Sequence, residues 1–415
     1  MSGASGAAGA VVTGIGLVGP LGRTVDELYD ALCAGRSGVT APPADHLLAG
    51  VVEAAAFGPP IEPSSVLPPV EARVVDRGIV MALRAAEDAV ADACLEIGRD
   101  VDARRTAVMI GGVGGLATMS EQAVARAGRG RFGISPYLLP GVLPNMAAAR
   151  IAIKFGARGY SSAVGTACAA GAQSIGEGLR ILRAGEADVV LCGCTEEPLF
   201  PAFADGFGNA RALASGWTDP AQASRPFDRR RNGLVLGEGA GVVVLERPEF
   251  ARARGARSYG RVLGWGASTD GFHPTAPRPD GEGAADAMRL ALRDAGAAPD
   301  EVGYVCAHGT STKAGDAAEA SAVLAVFGPH QPPISSLKGA TGHLLGVSGV
   351  FSAAVSLLGL RRGRLPATRN LDDPDPKCAD LDLIRDSPRP ADGAKLALVN
   401  AFGFGGHNIS LVLAA

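Results

Sequence analysis

Lysine is nearly absent from this sequence: Lys154, Lys313, Lys338, Lys377 and Lys395 are the only ones among 39 basic residues in 415. The other basic residues are arginines, so a lysine inside a motif stands out. Excess charge is lacking too. A net charge of −3 and a pI near 6.1 leave no electrostatic footprint for a polyanion, so nucleic acid is not an expected partner. Arg229, Arg230 and Arg231 form the densest basic run, which reads as a solvated loop. No run of about 18 apolar residues occurs, which argues against a membrane-spanning helix. The stretch from Met1 to Ala10 has no basic region followed by an apolar one, so a secretory segment is not expected. The seven cysteines (33, 94, 168, 192, 194, 306 and 378) are odd in number and scattered, as suits reduced thiols in a cytoplasm. Cys192 and Cys194 have no second pair to complete a zinc site, so no metal is expected.

What is present has the balance of a soluble globular protein, 47% apolar and 20% charged. Short β-branched runs (10–13, 106–110, 188–191, 241–245, 301–306 and 396–400) alternate with Ala-rich helical stretches. That alternation predicts an α/β fold with largely buried sheets. A half-boundary falls in the Arg/Ala/Gly stretch 252–258, giving halves 1–254 and 255–415 that each end on an apolar strand, 241–245 and 409–413. Two segments match the dinucleotide fingerprint: Gly14-Ile-Gly16-Leu-Val-Gly19 and, nearly, Gly112-Val-Gly114-Gly-Leu-Ala117. Neither is followed by a strand ending in the acidic residue that a ribose contact needs. Their glycines read as tight turns at strand ends.

The segment Gly165-Thr-Ala-Cys168-Ala-Ala-Gly carries the first chemistry. From Cys168 onward, positions 168, 172, 175, 179 and 182 form an apolar stripe at helical spacing, with Arg180, Arg183 and Gly185 at the far end. Cys168 is therefore expected in the first turn of a helix and pointing inward. There unpaired N–H groups and the positive dipole end favour thiolate over thiol and can serve an oxyanion. A lone cysteine is more often a small core residue, and its company overturns that reading. Of six histidines, three lie in Gly-rich, strand-ending turns: His308 in Cys306-Ala-His-Gly-Thr-Ser-Thr, His343 in Lys338-Gly-Ala-Thr-Gly-His343, and His407 in Phe402-Gly-Phe-Gly-Gly-His407. A strand followed by His-Gly puts the imidazole at the carboxyl end of a sheet, where open α/β proteins place their ligands.

These four motifs, in order and spacing, resemble the elongating β-ketoacyl-acyl carrier protein synthases of the thiolase superfamily. The resemblance runs from Val11 to Asn408 and includes Arg225-Pro-Phe-Asp228 and Asn232-Gly-Leu-Val-Leu-Gly-Glu-Gly-Ala-Gly241. It implies a thiolase-like fold, two duplicated βαβ-type halves in a five-layer αβαβα arrangement, as a homodimer or as a heterodimer with a chain-length partner. It implies that Cys168 accepts the acyl group, and that His308 and His343 bind the malonyl thioester carbonyl and promote decarboxylation. Lys338 orders the site with Glu319 as its carboxylate partner. Phe402 is the gating aromatic whose N–H joins that of Cys168 in the oxyanion hole. Thr310 and Thr312 hold a phosphopantetheine arm that arrives on an acyl carrier protein, and the chain has no cofactor of its own. The resemblance also places Val113, after the 106–110 strand, as the cap of the acyl pocket, with a repacked interface that leaves chain length unchanged as the alternative. Arg73, Arg129, Arg131 and Arg211 match the family's entrance for the acidic carrier protein.

Residue types separate close relatives. Degradative thiolases carry a second catalytic cysteine near the C-terminus, where this chain has Gly403-Phe-Gly-Gly406. Initiating synthases use Cys, His and Asn, whereas here a second histidine stands at 343. Chain-length partner subunits lack the cysteine. Departures from the family pattern, at Gly159-Tyr160, Ala401 and His407, leave the catalytic set untouched. Three readings follow: a cytoplasmic condensing enzyme of fatty-acid elongation, a discrete ketosynthase of a polyketide or polyene pathway, and a non-catalytic assembly subunit, which the intact Cys/His/His/Lys set disfavours.

Overall fold

The computed structural model describes residues 9–73 and 75–415. The first eight residues, on which the reading of an absent secretory segment partly rests, and the side chain of Arg73, an expected docking residue, lie outside the described residues. The core is one ten-stranded sheet. Its strands are β1 (Ala10–Val18), β2 (Thr106–Gly111), β3 (Ser161–Ser162), β4 (Val189–Glu196), β5 (Gly239–Glu246), β6 (Gly260–Thr269), β7 (Val302–Cys306), β8 (Ile334–Ser335), β9 (Leu396–Gly403) and β10 (His407–Ala414). In space they run β8-β7-β9-β10-β6-β1-β5-β4-β2-β3. Each half repeats one pattern. From the centre outward there are two antiparallel pairings and then two parallel ones, β1-β5-β4-β2-β3 mirrored by β6-β10-β9-β7-β8. The halves meet where Ala10–Val12 pairs antiparallel with residues 260–262.

Helices make the other layers. These are α1 (Arg77–Asp92), α2 (Leu116–Arg129), α3 (Met146–Phe155), α4 (Ala170–Arg183), α5 (Pro201–Asn209), α6 (Glu282–Ala295), α7 (Lys313–Phe327) and α8 (Val347–Arg362). α1 and α3 cover the outer face of the first half-sheet, α6 and α7 that of the second, and α4 and α8 pack together between them. The result is the five-layer αβαβα arrangement. Because central strands are covered on both faces, successive residues feed different cores. Val242 and Val244 join Leu83, Ile110 and Ile151 outside, whereas Val243 and Leu245 join Ile175, Leu179 and Val350 between the sheets. Among the described residues, no helix is long and apolar enough to cross a membrane.

The first glycine motif proves different from the turn expected of it. Gly14 and Gly16 lie inside β1, where a Cβ would fall 2.1 Å from Ala89 O and 1.9 Å from Ala85 O. Glycine there lets α1 lie directly on the sheet. The second motif does turn the chain, with Gly112 at φ 147° and Gly114 at φ 83°.

Candidate active site

The carboxyl ends of β7 and β9, with the residues leading into α4 and α8, surround one cavity of about 400 Å³. Its walls include Cys168, His308, His343, Thr310, Thr312 and Phe402. Non-glycine residues at positive φ flank these groups: Ala167 (φ 47°) before Cys168, Ser311 (φ 70°) between the threonines and Leu345 (φ 46°) after His343. Such conformations cost about 1–3 kcal/mol each and concentrate at functional sites.

Cys168 stands in a single 3₁₀ turn, Ala167–Ala169, directly before α4. It lies one short turn ahead of the α-helix itself and is only 8% exposed. Burial, with the Glu196 carboxylate second, pushes its thiol up to about 12, while Lys338 and the residue's own N–H pull the other way. This corrects the expectation of a resting thiolate: desolvation outweighs the helix end. A base must take the proton, and His343 Nε2 lies 3.2 Å from Sγ.

His343 is pinned through its backbone. Its N–H donates to Val235 O at 2.7 Å and its carbonyl accepts from Gly237 N–H at 3.0 Å. The glycine-rich segment 232–241 therefore acts as a clamp. The Ser348 hydroxyl accepts from Leu344 N–H at 3.1 Å and lies 3.4 Å from His343 Nδ1. With one proton and one lone pair left, that hydroxyl can serve either tautomer of the ring. Burial first, and then Lys338, holds the basicity of His343 well below the ordinary histidine value, so the ring is neutral.

His308 meets His343 edge-on, with ring centroids 5.5 Å apart, and it too is held neutral by burial, Lys338 and His343. Its peptide is gripped from two sides. Lys338 Nζ donates to His308 O. Glu319 accepts from His308 N–H at 2.8 Å, Gly309 N–H at 2.7 Å and Asn400 Nδ2 at 3.2 Å. The direct Lys338–Glu319 pair expected from the sequence does not form; the two charges act on opposite ends of the same peptide segment. Burial pushes the ammonium down and the carboxyl up, and their mutual attraction partly offsets both shifts.

The remaining expected residues divide. Thr310 Oγ1 and Thr312 Oγ1 lie 3.0 Å apart in the cavity wall, and Thr312 also caps α7 by accepting from Gly315 N–H at 3.2 Å. Phe402 belongs to β9 opposite Asn408, and its ring tilts against His308 at 5.5 Å. That makes it a wall. Phe404, two residues on, is 39% exposed and stacks on Phe207 at 5.6 Å. Between them, Gly403 abuts the nucleophile: a Cβ there would sit 3.2 Å from Cys168 N and 2.5 Å from Thr166 O. Val113 does not line this cavity; its N–H donates to Glu196 at 3.3 Å. The apolar cluster that contains Cys168 instead uses Leu199, Leu345, Phe203 and Phe207. Of the described docking arginines, Arg211 lines the cavity, while Arg129 and Arg131 are exposed elsewhere. His407 does not line it.

Two supporting groups escape the sequence. Arg231, read as part of a solvated run, is fully buried. It pairs with Asp316 at 3.3 Å and Asp375 at 2.7 Å, and donates to Thr312 O and Lys313 O. Asp316 in turn accepts from Ser311 N–H and Phe227 N–H. Together they fix the loop that carries both threonines. Asn400, which bridges Glu319 to Ser410, is the other. Nothing in the sequence distinguishes either of them.

Known proteins share both the sequence and the fold of this chain. Residues 9–251 match the β-ketoacyl synthase N-terminal domain and residues 259–372 its C-terminal domain. The chain is 40% identical over 407 residues to a 3-oxoacyl-[acyl-carrier-protein] synthase 2 of Synechocystis, covering 97% of this chain and 96% of that protein. It is 41% identical over 414 residues to the protein of the same name in Rhizobium meliloti, covering 97% and 98%. Among solved structures, a β-ketoacyl synthase from Burkholderia phymatum superposes with TM-score 0.91 at 34% identity, covering 98% of this chain and 99% of that one. A type II polyketide ketosynthase in complex with its acyl carrier protein and bound to the hexaketide does so with TM-score 0.90 at 31% identity, covering 98% and 99%.

Proposed function

The chain belongs to the β-ketoacyl synthase family, and from that premise we propose that it joins an acyl group held on Cys168 to a malonyl unit delivered by an acyl carrier protein. The observation that carries this reading is the contact of Cys168 Sγ with His343 Nε2 at 3.2 Å, in one cavity with a second neutral histidine, His308. In the first half-reaction the Cys168 thiol gives its proton to His343 as the sulfur attacks the acyl thioester. The carbon–sulfur bond to the carrier breaks, and the carrier thiol leaves with the proton. Cys168 N–H and the backbone beside Gly403 stabilise the oxyanion. In the second half-reaction malonyl thioester loses CO₂, and the electron pair left behind becomes an enolate. The N–H groups of His308 and His343 stabilise that charge, which requires neutral rings. The enolate carbon attacks the acyl thioester, a carbon–carbon bond forms, and Cys168 is released to regain its proton.

Lys338 and Glu319 hold His308 in place, Thr310 and Thr312 receive the phosphopantetheine arm of the carrier, and Phe404 rather than Phe402 gates the turn. Val113 caps the acyl channel only if the chain runs past Glu196. The halves 1–254 and 255–415 divide the work, the first supplying the nucleophile and the second both histidines. The relatives named 3-oxoacyl-[acyl-carrier-protein] synthase 2 favour fatty-acid elongation, which we place in the cytoplasm. A second reading, a ketosynthase of a type II polyketide or polyene pathway, is favoured by likeness to a ketosynthase/chain length factor at 34% identity and TM-score 0.89. The test is reconstitution with acyl- and malonyl-loaded carrier proteins, alone and with a chain-length factor. β-Ketoacyl product from the chain alone supports the first reading; product only with the factor supports the second.

A further inference from the structure

Glu196 has no part in the steps above, yet it is the carboxylate whose charge acts on the Cys168 thiol. It closes β4 and is 2% exposed. Its Oε2 accepts from Val113 N–H at 3.3 Å, and the nearby Gly346 N–H favours the charged carboxylate. Among the described residues Oε1 is buried with no partner, and no arginine or lysine is paired with the group. Gly346 itself is wedged against the nucleophile turn, since a Cβ there would lie 3.1 Å from Ala167 O and 2.7 Å from Cys194 Sγ. One carboxyl thus ties together the loop after β2, the turn that opens α8 and the approach to Cys168.

The titratable groups that face Glu196 are few. Cys194 comes from its own strand, Cys168 from the turn before α4 and Asp76 from the residue ahead of α1. Lys338 and His343 act on Cys168. With burial dominant and no cation to offset it, the carboxyl is pushed up to about 8. Its charge is in turn the largest influence on the Cys168 thiol after burial.

We propose that Glu196 is a positioning residue for the nucleophile, bracing the two loops as a neutral acid and withdrawing Cys168 from reaction when it ionises. The proposal rests on the reading of Cys168 as the nucleophile. Two interacting groups titrate as a pair. While Glu196 is neutral, Cys168 reactivity rises about tenfold per pH unit with the thiolate fraction. Once Glu196 is an anion, each further thiolate must form beside a like charge, and the rise slackens.

The experiment is iodoacetamide alkylation of the full chain from pH 6 to 10, followed at the Cys168 peptide by mass spectrometry; it needs no turnover. The wild-type profile should bend above about pH 8, the value to which Glu196 is pushed. Glu196→Gln keeps an oxygen for Val113 N–H but carries no charge, so its profile should rise without the bend. Near pH 9.5 it should react about three- to tenfold faster than wild type, and near pH 6.5 about equally fast. The same bend in Glu196→Gln overturns the proposal. If that variant does not fold, an unbent wild-type rise through pH 10 overturns it as well, and a bend supports it. Acyl loading of Cys168 at pH 7, measured alongside, separates the failures. Loading with an unchanged bend sinks the role of Glu196 alone, whereas no loading sinks the nucleophile reading.

Discussion

Gly403→Ala adds a single methyl group to the backbone that faces the nucleophile, and the geometry fixes what must follow. The new Cβ would lie 2.5 Å from Thr166 O, 3.2 Å from Cys168 N and 3.3 Å from Ala169 N. Ordinary contact begins near 3.4 Å, so the Thr166–Ala169 turn must retreat by about an ångström. It has little room to do so. Ala167 already holds φ 47°, and Gly346 presses on its carbonyl from behind. Overpacking of this kind costs about 1–3 kcal/mol, which should lower Tm by a few degrees and leave the fold intact. A misplacement of about 1 Å at a reacting group costs about a hundredfold in rate. Stopped-flow acyl transfer from an acyl-carrier substrate should therefore slow by one to two orders of magnitude in kcat, with KM for the carrier within about twofold of wild type, because Thr310, Thr312 and Arg211 are untouched. Acylation at the wild-type rate would show that the turn does not hold the donors, and the oxyanion assignment would fail with it.

Further predictions test the supporting groups. Lys338→Met should abolish malonyl decarboxylation and destabilise the chain by about 1–3 kcal/mol, because His308 O is left buried without its donor; Lys338→Met/Glu319→Gln should recover part of that stability in chemical denaturation if the two charges attract through the shared peptide, and no recovery would mean they are not coupled. Ser348→Ala should slow both half-reactions about tenfold, since it frees His343 Nδ1, and lower Tm by a few degrees, since it also leaves Leu344 N–H without its acceptor; a loss confined to one half-reaction would contradict the two-tautomer role. His308 and His343 stay neutral in the folded state well below their ordinary value of 6.5. The unfolded chain therefore binds more protons, and these residues contribute stability that is present above pH 6.5 and lost as pH falls below it. His343→Asn should accordingly show a smaller Tm decline between pH 7 and 5.5 than wild type, and an equal decline would mean the ring is protonated in the native site. Arg211→Glu should raise KM for carrier-bound substrate and leave pantetheine analogues unaffected, while equal loss with both would indicate damage to the fold.

Much of this was legible in the sequence because the chemistry lies in short segments at strand ends. Cys168, His308, His343, Thr310 and Thr312 meet in one cavity since each follows a strand of the same sheet or opens a central helix, and spacing alone suggests that. What the sequence hid depends on distance across the fold. Nothing local to Arg231 says that Asp316 and Asp375 arrive to bury it. Gly14 and Gly16 look like turn residues until α1 is seen lying on β1. The protonation of Cys168 is set by burial, which outweighs the helix end that the sequence does reveal. Phe402 and Phe404 are two residues apart, and only the fold shows that the first packs on His308 and the second on Phe207.

The central claim is that carbon–carbon bond formation proceeds through an acyl group on Cys168. Peptide mass spectrometry after brief mixing with acyl-carrier substrate tests it most directly. The predicted result is the acyl mass on the Cys168 peptide, lost on addition of malonyl-loaded carrier as β-ketoacyl product forms, and no adduct or product with Cys168→Ala. Product formation at the wild-type rate by Cys168→Ala, or an adduct on any other cysteine that is chased into product, would contradict the account.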